Sequence, residues 1–279
     1  MSEKSFNFEF SADKGRLEKV FSSIFAATKF SNKEPVIIVN EGIVEGFDLS
    51  VKALIPYVRC NQSFFTGEVT GSGYFCLTKT LLEKFGKGFS AGTVTISGKV
   101  TLRPVAGRGV ETVGEISIIG DGTEYVEPIT LPEFPDAVQS TNTQLDYFPT
   151  FGATIERDEN YLVPKLKLDM VVSGVMSIQD IAAMPPSKTA TIIFGPDSVN
   201  ASIKDAGKYS KNMSIEYVLT SEGSIEFLAN NKYFNRAVEY LEGKVLVSVY
   251  GVLESEESII AFTQKTEDLE YVFFVSGKN

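Results

Sequence analysis

Large apolar residues alternate with polar ones near the start of the chain, where Phe6-Asn7-Phe8-Glu9-Phe10 places three phenylalanines on one face of a strand. The period then changes. Leu17, Val20, Phe21, Ile24 and Phe25 recur at helical spacing, so a helix capped by Ser11 or Asp13 is predicted to run to about Thr28. Short strands follow at residues 35–39, 43–49 and 53–59, broken by turn formers such as Asn40-Glu41-Gly42. A second passage of the same kind begins at Gly73. Residues 74–77 are extended, Thr78 caps a short helix with Leu81, Leu82 and Phe85 inward, and Gly86 and Gly88 stop it. Strands near 93–97, 99–105 and 110–119 complete the passage.

The plan returns after residue 160. Leu166-Lys167-Leu168-Asp169-Met170 repeats the large-polar-large-acid-large order of Phe6 to Phe10 at an offset of 160, and a short helix from about 173 to 183, ended by Pro185-Pro186, is predicted next. The run Tyr74-Phe75-Cys76-Leu77, capped helix, Thr93-Val94-Thr95-Ile96-Ser97-Gly98 is answered by Ile225-Glu226-Phe227-Leu228, capped helix, Leu246-Val247-Ser248-Val249-Tyr250-Gly251. Two matches in the same order make a duplication the better explanation. The expected fold is α+β: tandem domains at 1–120 and 165–279, each of two β-α-β-β-β units, with helices on one face of antiparallel sheets. Between them, 121–164 carries Pro128, Pro132, Pro135 and Pro149 and reads as a connector. Its Ile129-Thr130-Leu131-Pro132-Glu133-Phe134-Pro135 is too apolar for a passive linker, so part of it is expected to pack on the body or meet a partner.

Composition narrows the chemistry. A chain of 279 residues, 43% apolar and 22% charged, suits two ordinary globular domains. It contains no histidine, which removes Ser-His-Asp and Cys-His catalysis and histidine-ligated zinc. Cys60 and Cys76 lack metal-like or C-x-x-C spacing and read as small buried apolar residues. Asp48, Asp121 and Asp169 form no cluster along the chain, and neither Gly86-Lys87-Gly88 nor Gly107-Arg108-Gly109 carries a phosphate-loop pattern. The chain is therefore expected to be non-enzymatic, without metal or cofactor. No basic, apolar leader and no run of about 18 apolar residues occurs, so an intracellular protein without a membrane partner is expected.

The formal charge of −10 argues against a generally basic surface but permits a local one. Opposite the apolar stripe, the first helix carries Arg16, Lys19, Ser22, Ser23, Ala26 and Lys29, with Glu18 as the exception. The second carries Lys79, Lys84 and Lys87 beside Glu83, and the last carries Lys232, Asn235 and Arg236 beside Glu239. The third departs, with Met176, Gln179, Asp180 and Ala183 and no cation, although Lys188, Lys204, Lys208 and Lys211 lie nearby in sequence. Taken alone, such lysines read as an ordinary solvated helix face.

With the repeat and the proline-bearing crossover, the sequence resembles the DNA sliding clamps of the two-domain type, the family of proliferating cell nuclear antigen and the T4-like phage clamps. The resemblance is clearest at 225–251 and in Leu269-Glu270-Tyr271-Val272-Phe273-Phe274-Val275. It implies a homotrimeric ring around double-stranded DNA, opened by an ATP-dependent clamp loader and tethering a DNA polymerase, with a viral or archaeal source. The DNA-facing residues it implies are Arg16, Lys19, Lys79, Lys84, Lys87, Lys232 and Arg236. Ile129, Leu131, Phe134, Phe273 and Phe274 would flank a partner-peptide pocket, where the simpler reading for Leu131, Phe134, Phe273 and Phe274 is core packing. Ring closure needs edge strands; those expected are 110–119 in the first domain and a strand between 199 and 219 in the second. Two alternatives stand beside it: a clamp-like DNA binder acting as a monomer or hetero-oligomer, and a β-rich viral structural or scaffold protein.

Overall fold

The computed structural model describes residues 4–27, 34–48, 53–90, 92–105, 109–130, 144–148, 153–158, 161–165, 169–182, 189–194, 199–203, 209–213, 216–219, 225–251 and 258–277. The chain forms two compact units. Unit 1 comprises Met1–Ser50, Tyr57–Val138 and Lys265–Glu270; unit 2 comprises Val51–Pro56, Gln139–Gln264 and Tyr271–Asn279.

In the first half the elements run β1 (Lys4–Asp13), α1 (Lys14–Ile24), β2 (Val36–Asn40), β3 (Ile43–Phe47), β4 (Leu54–Asn61), β5 (Thr70–Gly71), β6 (Gly73–Cys76), α2 (Lys79–Gly88), β7 (Thr93–Val105), β8 (Gly109–Gly120) and β9 (Thr123–Pro128). The second half continues with β10 (Gln144–Phe148), β11 (Ala153–Asp158), β12 (Tyr161–Lys165), β13 (Asp169–Ser177), α3 (Ile178–Ala182), β14 (Thr189–Phe194), β15 (Val199–Ile203), β16 (Tyr209–Met213), β17 (Glu216–Leu219), β18 (Ile225–Asn230), α4 (Asn231–Val238), β19 (Lys244–Gly251), β20 (Ser258–Lys265) and β21 (Leu269–Ser276).

The strand orders repeat. The run β5-β1-β7-β8-β9 returns as β17-β13-β19-β20-β21, and β4-β3-β2-β6 returns as β16-β15-β14-β18. Strand by strand the neighbours correspond: β1 lies antiparallel between β5 and β7, and β13 between β17 and β19. Likewise β2 lies between β3 and β6, and β14 between β15 and β18. The duplication read from sequence is thus a duplication of topology, and the fold is α+β with antiparallel sheets.

Period-2 alternation drives the first sheet. Phe8, Phe10 and Ala12 of β1 are buried together with Val94, Ile96 and Val100 of β7 and Ile116 and Ile118 of β8. Asp13 starts α1 by accepting a hydrogen bond from the Arg16 N–H at 2.9 Å, and Leu17, Val20, Phe21 and Ile24 form its buried stripe. Thr78 Oγ1 likewise accepts from the Leu81 N–H at 2.9 Å to start α2, which buries Leu81 and Phe85. The two helices meet through Phe21 and Phe85, whose ring centroids stand 5.5 Å apart edge-to-face. Phe8 stacks on Phe75 of β6 at 5.4 Å. Unit 2 is built alike, with Phe234 of α4 edge-on to Phe262 of β20 at 5.1 Å over buried Val245, Val247 and Val249. Each fully buried side chain of this size contributes about 1.5–3 kcal/mol.

Several expectations change. The predicted break at Gly98 does not exist: β7 runs unbroken from Thr93 to Val105, because the Phe8 ring fills the space a side chain at Gly98 would need. The third strand of that passage is therefore β9, inside the predicted connector, and it is reached from β8 by a tight turn at Asp121-Gly122 with φ of 51° and 70°. Strand 110–119 is consequently not an edge, since β8 pairs with β7 on one side and β9 on the other. Strands β10, β11 and β12 also fall within or across the end of the predicted connector.

The offset of 160 in the first strand is also out of register. Phe10 faces Ile96 while Val172 faces Val249, an offset of 162 along β1 and β13; Phe8 faces Gly98 while Asp169 faces Gly251, an offset of 161. An irregularity between Met170 and Val172 accounts for the one-residue change. The helix predicted from about 173 begins only at Ile178, because 173–177 continues β13 as far as Ser177 opposite Lys244. Met176 is therefore a buried strand residue rather than an exposed helical one. Helix α1 ends at Ile24 and α2 includes both Gly86 and Gly88.

Candidate nucleic-acid interface

The predicted cationic positions fall on three of the four α-helices among the described residues, but they do not share one fate. On α2, Lys79, Lys84 and Lys87 are exposed beside exposed Glu83. Lys84 Nζ stands 5.7 Å from the centre of the Tyr125 ring on β9. Tyr125 donates its hydroxyl to Glu127 at 2.9 Å, and that hydrogen bond, with burial and the nearby carboxylate charge adding to it, pushes its pKa above the usual tyrosine range. Glu127 also accepts from Thr78 Oγ1 at 3.1 Å, so β9 is tied to the residue that caps α2.

On α1, Lys19 is exposed and Glu18 half-buried. Glu18 is held by Lys14, four residues back, at 3.0 Å. Lys14 Nζ also donates to the Gly86 carbonyl at 3.2 Å, placing a cation against the last turn of α2, where the helix carries partial negative charge. The acid that interrupted the predicted cationic face is thereby neutralised within the helix pair.

Arg16 is differently placed. Its guanidinium pairs with Asp268 of the turn between β20 and β21 and lies 4.4 Å from the centre of the Phe64 ring. Its charge is balanced within unit 1. Arg236 on α4 pairs with Glu239, donates to the Tyr240 hydroxyl and lies 4.9 Å over the Tyr240 ring, leaving its side chain 12% exposed. Lys232 at the start of α4 is exposed, 5.7 Å from the centre of the Tyr233 ring. On α3, Gln179 is exposed and Asp180 half-buried, with Ala183 outside the described residues.

Of the candidate partner residues, Ile129 is half-buried, and its N–H donates to the Gly114 carbonyl at 3.0 Å. The next residue reaches the other sheet, its Thr130 carbonyl accepting from the Cys76 N–H at 2.8 Å. Phe273 and Phe274 are buried at 0% and 5% exposure and belong to the core, with Phe273 stacked on Tyr240 at 6.1 Å, so they offer no surface to a peptide. Leu131 and Phe134 lie outside the described residues. Among the described residues there is no group of three or more His, Cys, Asp or Glu side chains placed to hold a metal ion, and no helix is long and apolar enough to cross a membrane.

Sequence reading missed the roles of Lys14, Asp268, Tyr125 and Glu127. The Lys14–Glu18 and Tyr125–Glu127 spacings were visible along the chain; the other partners come from distant elements.

The fourfold strand-helix-three-strand repeat, with its repeated strand orders, is that of the two-domain sliding-clamp fold. Solved structures of proliferating cell nuclear antigen share it over almost their whole length. That of Thermococcus kodakaraensis is 13% identical with a TM-score of 0.60, covering 97% of this chain and 100% of its own. That of Entamoeba histolytica is 10% identical with a TM-score of 0.59, covering 98% and 99%. That of A. fulgidus, solved with the C-terminal region of FEN-1 bound, is 12% identical with a TM-score of 0.63, covering 98% of each chain. No protein-family model matches the sequence, and no curated protein sequence matches it. The chain has the fold of proliferating cell nuclear antigen at an identity that carries the architecture alone.

Proposed function

We propose that this chain is a DNA sliding clamp: a non-catalytic processivity factor that closes into a homotrimeric ring around duplex DNA and tethers a DNA polymerase, with an ATP-driven loader to open it. The observation that carries this reading is the placement of Lys19, Lys79, Lys84 and Lys87 as exposed residues on the paired helices α1 and α2 of a clamp fold whose net charge is −10. Lysines near phosphates supply attraction without sequence preference, and an acidic remainder discourages DNA elsewhere on the molecule. A closed ring then keeps the protein on DNA by topology rather than by tight contact.

Edge strands supply the means of closure. Strand β9 pairs only with β8, and β16 only with β15, among the described residues. Head-to-tail pairing of one such edge with the other in the next copy generates a ring when the rotation closes. The C-terminal region of FEN-1 bound to the A. fulgidus protein supports a role for this chain in holding a partner by its tail. Absolute mass by light scattering across a dilution series tests the proposal. A species near three times 30.6 kDa, retained on circular but not on linear duplex DNA, is expected; a monomer at every concentration overturns the self-assembled ring.

A further inference from the structure

We infer that the two halves of the chain attract DNA unequally, the α1–α2 face of unit 1 tracking the phosphates and the helices of unit 2 contributing little. The inference rests on the clamp reading and goes beyond it, because a duplicated fold by itself implies equal halves. In unit 1, four exposed lysines, Lys19, Lys79, Lys84 and Lys87, face solvent against one exposed acid on the same helices, Glu83. The other acid there, Glu18, is matched by Lys14. In unit 2, the described helices carry Lys232 and Arg236 against Asp180, with Glu239 just past the end of α4. Arg236 is already committed to Glu239 and Tyr240 and is almost wholly buried, so its charge is not presented to a passing phosphate.

Counterion release converts this difference into a number. Each phosphate neutralised contributes about 0.9 to the slope of log affinity against log salt. In the proposed ring, strongly and weakly attracting domains alternate, which pulls the duplex toward the unit 1 helices without holding it equally all round.

The experiment measures binding of a short fluorescent linear duplex by anisotropy from about 50 to 200 mM salt, for the full chain and three variants. In K79Q/K84Q/K87Q the slope is expected to fall by about 0.9 for each phosphate that is no longer neutralised, with affinity at low salt down at least about tenfold. K79R/K84R/K87R restores both. The unit 2 set, K232Q/R236Q, removes the cations of its described helices and is expected to move the slope by less than about one. A fall in the unit 2 set as large as in the unit 1 set overturns the inference while leaving the clamp reading intact. So does a failure of the arginine set to restore binding, since charge is the cause invoked. Absence of any salt-dependent binding by the unaltered chain also overturns the inference, whereas the clamp reading itself falls only with the ring mass and the retention on circular DNA.

Discussion

Arg16 of α1 and Asp268 of the β20–β21 turn form an ion pair that fixes this turn within unit 1. The pairing is reinforced from both sides. Phe64 lies under the guanidinium at 4.4 Å, the Asp268 carbonyl accepts from the Asn61 N–H at 2.9 Å, and Thr266 Oγ1 donates to Asp268 Oδ1 at 2.8 Å.

Asp268→Ala is therefore expected to destabilise the protein by about 1 kcal/mol, the upper end for a partly exposed ion pair. Burial raises the Asp268 pKa, but the hydrogen bonds from Thr266 and Arg16 and the Arg16 charge outweigh it and hold the carboxyl below its usual range. The folded state thus binds its proton less readily than the unfolded one. The pair's contribution is complete above the unfolded carboxylate pKa and is lost as pH falls through the lower, folded value. Urea unfolding at neutral and acidic pH checks this: the difference between the two proteins should shrink in acid, and a difference independent of pH would show that the ion pair is not its source.

Glu270 on β21 behaves in the opposite sense. It is buried with Glu45 of β3, which accepts from the Tyr57 hydroxyl at 2.9 Å and stands opposite Arg59 in the β3–β4 pairing. Burial pushes the Glu270 pKa up; the Lys265 and Arg59 charges pull it part of the way back, while Glu45 pushes it further. A raised carboxylate binds its proton more readily in the folded state, so it costs stability as pH rises from the unfolded pKa through the folded one. Glu270→Gln should remove that cost, gaining on the unaltered protein as pH rises from about 4 to neutrality, since the free carboxylate reference lies near 4.3. Thermal unfolding across that range tests it, and a constant difference between the proteins would overturn the assignment to Glu270.

These interactions mark the boundary of what could be read along the chain. Local signals carried well: the alternation of Phe6, Phe8 and Phe10, the Thr78 cap and most of the stripes of α1 and α2 are as the sequence implied, but Leu82 is only half-buried, and Ser23 and Ala26, read as opposite the α1 stripe, are buried. One misreading at Gly98 then propagated. A glycine inside a strand can mark a break or a close approach, and which one depends on the Phe8 ring, supplied from another strand. Splitting β7 used up a strand, turned β8 into a false edge and gave β9 to the connector, although Asp121-Gly122 is a strong hairpin signal. In the site, side-chain type identified candidate cations but not their partners. Arg16 and Arg236 looked like Lys79 and Lys84 until Asp268, Glu239 and Tyr240 were placed beside them. The buried Phe273 and Phe274 follow the simpler core reading of their run.

Another glycine tests how closely α1 seats on its sheet. Gly46 of β3 lies beneath Ile24, the last residue of α1, and a Cβ at this position would collide with Ile24 Cδ1 and stand 2.9 Å from Ile37 Cδ1. Both isoleucines are 1% exposed, so neither side chain can swing into open space. Gly46→Ala is expected to cost about 1–3 kcal/mol by overpacking. Ile24→Val removes the colliding methyl and on its own costs about 0.5–1.5 kcal/mol. The double variant should be more stable than Gly46→Ala alone, which a sum of independent effects forbids. Chemical unfolding of the four proteins of this cycle provides the check. Additive effects would place the cost of the alanine at Ile37 or in the strand backbone, and the α1–β3 seat would then be looser than the geometry gives it.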